Sequence, residues 1–155
     1  MPDAVTVAML PPASRFIVRG DPAAFTGYGV ALPSRACRAE TNGTVSALWL
    51  GPDEWLVLAP DGRQLPVPMA SVVEVSDRQV AIGVSGEAAA DVLNGFNALD
   101  LHLEAFPVGM CTRTLFGKAE IVLWRTAPDT FRIEVWRSFA PYVLGCLAEA
   151  AREYA

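Results

Sequence analysis

Short apolar runs broken by Gly, Pro, Asn and Asp dominate this chain, and only two stretches carry helical spacing. That pattern predicts strands joined by tight turns, with few helices. Residues 15–19 read as a strand. Asp21 and Pro22 then open a helix that Gly27 and Gly29 cut short. Strands follow at 37–40 and 44–59 around Asn42-Gly43, a pair that tolerates the positive φ of a hairpin turn. Residues 60–68 hold three prolines and a glycine and read as a linker. Beyond it, 72–75 and 79–84 flank Ser76-Asp77-Arg78 as a further hairpin. Ser85 is placed to cap a helix ending near Gly95, with Ala89, Val92, Leu93 and Phe96 on one face. Residues 99–109 look irregular, and 112–126 pairs with 130–136. In the latter, Phe131, Ile133 and Val135 alternate with Arg132 and Glu134, as in a strand with one wet face. Ser138 and Pro141 start a last helix whose stripe of Val143, Leu147, Ala150, Ala151 and Tyr154 opposes Glu149, Arg152 and Glu153.

The stretch LWLGPDEWLVLAP (48–60) returns loosely as VLWRTAPDTFRIEVW (122–136), each a Trp-bearing run, a Pro-Asp turn and a second apolar run. Upstream, Gly20 matches Gly86 at an offset of 66, and Asp53 matches Asp129 at 76. The second copy is thus ten residues longer between glycine and hairpin. The expected fold is α+β: two packed ferredoxin-like β-α-β-β units arisen by internal duplication, within one domain spanning 1–155. The half-units are expected at about 14–60 and 71–154, with the linker at 60–70.

Both faces of the first hairpin are apolar, so both must be covered, by the other half or by another chain. Composition sharpens this: the chain is 52% hydrophobic and 19% charged, against roughly 25% charged for a typical soluble chain. Grease spread over strands suggests a surface that a partner covers. The hairpin tryptophans Trp49, Trp55 and Trp136 are the expected interface residues, core filling being the alternative. The apolar run ahead of Arg15 is too short for a signal peptide or a bilayer span. A net charge of −5 and a single lysine, Lys118, exclude a phosphate-binding stripe, so no nucleic acid is expected. Three scattered cysteines, Cys37, Cys111 and Cys146, predict a reduced, cytoplasmic protein.

Candidate chemistry is sparse. Asp100, His102 and Glu104 would share a face only on a strand, which their segment does not resemble. Cys111 could act as a nucleophile only with a base beside it, and reads as a small buried residue. Gly27-Tyr28-Gly29 lacks the spacing of a phosphate loop, Ser85-Gly86 is explained by a plain cap, and Glu120 beside Lys118 reads as a surface pair or a buried acid. No catalytic, cofactor or metal site is expected.

WLGPDEWLVLAP, VEVSDRQVAIGVSGEAAADVLN and the segment from FPVGMCTRTLFGKAEIVLW to FAPYVLGCL closely resemble the gamma subunit of bacterial heterotetrameric sarcosine oxidase, from about residue 35 to 154. That resemblance implies an accessory, non-catalytic role. The family complex oxidises sarcosine with oxygen to glycine and hydrogen peroxide and passes the one-carbon unit to tetrahydrofolate. It implies alpha, beta and delta subunits as partners, chiefly alpha, with FAD, FMN, NAD and zinc on those subunits and tetrahydrofolate on alpha. EVSDRQVAIGVSGEAAADVL is also similar to the folate-binding region of glycine-cleavage aminomethyltransferase. Where that enzyme has paired aspartates after a Gly-Gly turn, this chain has FGKAEIV with the lone Glu120. A free-standing folate-binding or one-carbon transfer protein is the alternative, with Glu120 as its acid. The isolated chain could also pair with itself through its apolar hairpins.

Overall fold

A computed structural model describes residues 4–25, 30–65 and 71–155. The reading of Gly27 and Gly29 as helix breakers, and the second part of the linker, lie outside these residues. Among the described residues ten strands form two five-stranded sheets, and the chain divides into two compact units, Pro11–Gln79 and Met1–Leu10 with Val80–Ala155.

The unit Pro11–Gln79 holds β2 (Ala13–Arg19), β3 (Ala39–Asn42), β4 (Val45–Gly51), β5 (Glu54–Pro60) and β6 (Ser71–Glu74) in the order β3-β4-β5-β2-β6. Asn42-Gly43 turns β3 into β4, with Gly43 at φ +62, as the sequence predicts. Asp21 Oδ1 accepts the Ala23 N–H at 3.0 Å and so caps a 3-10 turn at Pro22–Phe25. Phe16, Val18, Val45, Ala47, Trp55, Val57 and Ala59 form its core on one sheet face. The other face carries Leu48, Leu56 and Leu58, and these too are buried within this single chain. Both faces of the apolar hairpin are thus covered, as its pattern requires.

The other unit orders its strands β1-β7-β10-β9-β8: β1 (Thr6–Met9), β7 (Gln79–Ser85), β8 (Cys111–Phe116), β9 (Ala119–Ala127) and β10 (Thr130–Trp136). Two helices, α1 (Ala89–Asn94) and α2 (Ala140–Ala151), complete it. Ile82, Val84, Ile121, Leu123, Ile133 and Val135 on the strands share one core with Val92, Leu93, Val143 and Leu147 on the helices. The run 112–126 is two strands, because Gly117 at φ +58 reverses the chain between β8 and β9. Neither Ser85 nor Ser138 caps a helix through its side chain; Ala88 and Phe139 occupy the cap positions.

The expected hairpin 72–84 does not form. β6 pairs antiparallel with β2, and β7 pairs with β1. Two short apolar runs around a polar turn look like a hairpin locally, but β6 pairs with the seven-residue β2 and β7 lies between β1 and β10 in the other sheet. The boundary between the two compact units falls at Gln79 and Val80.

The α+β class with two antiparallel sheets stands, and the two sheets fit a duplication closely. Read from the edge, β6-β2-β5-β4-β3 matches β1-β7-β10-β9-β8 strand for strand. In each, the last residue of the second strand pairs with the first of the edge strand: Arg19 with Ser71, Ser85 with Thr6. The matched glycines behave alike as well. Gly20 (φ +126) donates its N–H to Asp53 O at 3.0 Å, and Gly86 (φ +119) donates to Asp129 O at 2.9 Å. A side chain is strained at that φ, and a Cβ on Gly86 would also run into the Ala4 carbonyl. Gly86→Ala is expected to destabilise the chain by roughly 2–3 kcal/mol in urea unfolding. A loss below about 0.5 kcal/mol, the range of a neutral surface change, would show that the turn relaxes freely.

Candidate subunit interface

The polar candidates do not converge. Asp100 Oδ1 accepts the His102 N–H at 3.0 Å and His102 Nδ1 accepts the Glu104 N–H at 3.2 Å, so both side chains stitch one turn of backbone. Among the described residues no group of three His, Cys, Asp or Glu could hold a metal. Cys111 is fully buried on β8, while Cys37 and Cys146 are partly covered. Glu120 is exposed, opposite Leu115 across β8 and β9, so it is not the buried acid the folate alternative requires.

The buried charges lie elsewhere. Glu134 is enclosed, with Arg132 Nε 3.7 Å from its Oε2. Strand alternation predicts a solvent face for both, yet Glu134 is buried there and Arg132 is partly covered. Arg125 is buried too, and its guanidinium donates to Leu101 O, Phe106 O and Pro128 O while lying 4.5 Å from the Phe131 ring centre. Desolvation holds its pKa below the ordinary arginine value, partly offset by the charge of Asp129. Nothing in a local pattern marks such a residue, because two of its three acceptors are backbone carbonyls 19 and 24 residues away.

The three tryptophans named as interface residues separate. Trp55 is fully buried in its unit's core, its indole N–H bonded to Pro33 O at 2.8 Å, which removes it from any docking surface. Core filling wins there because Trp55 lies on the sheet face shared with Phe16 and Val57. Trp49, its ladder partner, is half-buried against the same core. Trp136 is 49% exposed.

Trp136 has company. In the β9–β10 ladder Val135 faces Ile121 and Glu134 faces Val122, so Trp136 lies level with Glu120, which in turn faces Leu115 on β8. Leu115, Glu120 and Trp136 therefore form one row on the sheet face away from the helices, with Arg113 in the row behind. The chain then turns through Arg137–Phe139 into α2, where Phe139 and Tyr142 stand three residues apart and both exposed. The Tyr142 hydroxyl accepts the Lys118 N–H at 3.0 Å and fills the space where a Cβ of Gly117 would be, tying α2 to the β8–β9 turn. Asn97 guards the adjoining strand edge, its Nδ2 donating to Leu115 O at 2.8 Å and Thr114 Oγ1 at 3.0 Å. Sequence reading singled out Trp136 but not Leu115, Phe139 or Tyr142, which only cross-strand register and the helix start bring beside it.

The model of the sarcosine oxidase, gamma subunit family matches residues 20–153. Sarcosine oxidase subunit gamma of Corynebacterium sp. strain P-1 is 31% identical, covering 82% of this chain and 67% of that one. Its counterpart from Arthrobacter sp. is 30% identical, covering 88% and 71%. Among solved structures, heterotetrameric sarcosine oxidase from Corynebacterium sp. U-96, in complex with pyrrole 2-carboxylate, superposes with a TM-score of 0.90 at 26% identity. The match covers 99% of this chain and 87% of that one. Aminomethyltransferase T of the Bartonella henselae glycine cleavage system shares the fold at a TM-score of 0.67 and 14% identity, over 94% of this chain and 45% of that one. With most of its length matched by the family model, the chain belongs to the sarcosine oxidase gamma subunit family.

Proposed function

We propose that this chain is the accessory, non-catalytic subunit of a heterotetrameric sarcosine oxidase. The observation that carries this is the superposition of nearly the whole chain on a component of such an oxidase. In this reading the complex transfers two electrons from sarcosine to oxygen, releasing glycine and hydrogen peroxide and passing the one-carbon unit to tetrahydrofolate. FAD, FMN, NAD and zinc sit on the other subunits and tetrahydrofolate on alpha, the main partner. This chain supplies rigid surface and no reacting group. The side chains with chemical potential support that assignment. His102 and Asp100 tie a turn, Glu134 is engaged by Arg132, and the Arg125 guanidinium is turned onto its own backbone. Three cysteines scattered over the chain fit a cytoplasmic setting.

Co-expression of alpha, beta and delta with and without this chain tests the role. Without it, the oxidase is expected to fall in yield and to lose activity at a lower temperature. An oxidase equally abundant, stable and active in its absence would refute the role. Calorimetric titration of the isolated chain with tetrahydrofolate is expected to be flat, and micromolar binding would favour a free-standing folate protein instead.

A further inference from the structure

We infer that the chain docks through the sheet end bearing Leu115, Trp136, Phe139 and Tyr142, and that the surface it meets on the larger oxidase subunit is an apolar recess with an acidic rim. The inference rests on the subunit role proposed above. Among the described residues, Trp136, Phe139 and Tyr142 are all of the exposed aromatics, and register and helix start gather them at one end of one sheet. Met9, Val73, Leu103 and Val108, the other exposed large apolar side chains, lie on other elements, and none is aromatic. Trp and Tyr are the residues on which binding energy concentrates, because they bury large area while few rotamers are lost. Tyr142 is already fixed by its bond to the Lys118 N–H, so little ordering remains for complex formation.

Charge selects the occupant. The chain carries a net −5, yet this end exposes Arg113, Lys118 and Arg137 against the single exposed acid Glu120. Glu134, one row behind, is buried and held by Arg132. A second copy fits poorly. Symmetric pairing of two such ends would set bases against bases, and a head-to-tail contact would propagate instead of closing. A different chain with acidic groups around an apolar recess satisfies both features, and opposite charge would steer the encounter.

The test uses the assembled oxidase with this chain tagged. Trp136→Glu and Leu115→Glu, both at exposed positions, are each expected to weaken retention of the other subunits by roughly 30-fold. Lys118→Glu is expected to slow association and flatten its dependence on salt. Met9→Glu and Val73→Glu should bind as the parent chain does. A photo-cross-linking residue at position 136 reports independently of any loss of folding. It should capture the larger subunit, whereas the same group at position 73 should not. Parental retention by the Trp136 and Leu115 variants, or cross-links from 136 only to a second copy, would overturn the docking face while leaving the subunit role intact. Failure of the parent chain itself to join the complex would overturn both.

Discussion

Arg125→Ala is expected to destabilise the chain by about 3–5 kcal/mol, because one buried guanidinium organises a whole irregular segment. Three carbonyls, of Leu101, Phe106 and Pro128, accept from it, and charged donors make bonds worth about 1.5–3 kcal/mol each. The backbone at the same residue bonds Gly109 and Met110, so side chain and main chain hold 101–110 together. That segment delivers Leu101 and Phe106 to the core, both nearly fully buried. Losing the anchor thus leaves acceptors unpaired and loosens two core side chains at once. Arg125→Lys keeps the charge but not the fork, and an ammonium cannot serve the same three acceptors, so about half the loss is expected to remain. Burial lowers the pKa of Arg125, so the unfolded chain holds this proton more tightly than the folded chain does. Urea unfolding of parent and both variants measures these losses. An Arg125→Ala variant within about 1 kcal/mol of the parent would mean that water or neighbouring residues replace the guanidinium.

Much of this architecture was legible in the chain because turns and strands leave local marks. Asn42-Gly43, the two Pro-Asp hairpins and the Gly20/Gly86 match were visible as residues, and the structure gives both glycines the same φ region and the same bond to an Asp carbonyl. Strand partnering was not legible. β6 and β7 are adjacent in sequence, yet they lie in different sheets, each paired with a strand more than fifty residues away. Burial of polar groups was hidden for the same reason. Arg132 and Glu134 alternate with apolar neighbours as surface residues do, and only tertiary cover distinguishes them. The interface suffered most. Tryptophan in a hairpin signals either a core or a contact, and the strand's facing decides which. Trp55 shares its sheet face with Phe16 and Val57, whereas Trp136 shares its face with Glu120 and Arg113.

That difference makes Trp55 and Trp136 an informative pair. Trp55→Ala is expected to cost about 3–5 kcal/mol, since it empties the largest fully buried side chain of its unit among close-packed neighbours. Trp55→Phe retains much of the apolar volume but leaves Pro33 O without its 2.8 Å donor, for a smaller loss of about 1–3 kcal/mol. Trp136→Ala removes an equally large ring from a half-exposed position, and stability is expected to change by only about 0.5 kcal/mol. Thermal unfolding of the isolated chain should rank the variants in that order, with Trp55→Ala lowest. Binding to the oxidase should rank them differently. Trp55→Phe, still folded, should bind like the parent, while Trp136→Ala should be folded and poorly retained. A Trp136→Ala chain as unstable as Trp55→Ala would assign both rings to the core, and the exposed sheet end would then lose its strongest anchor. Opposite rankings in the two assays would instead separate the residue that builds the surface's scaffold from the one that the partner grips.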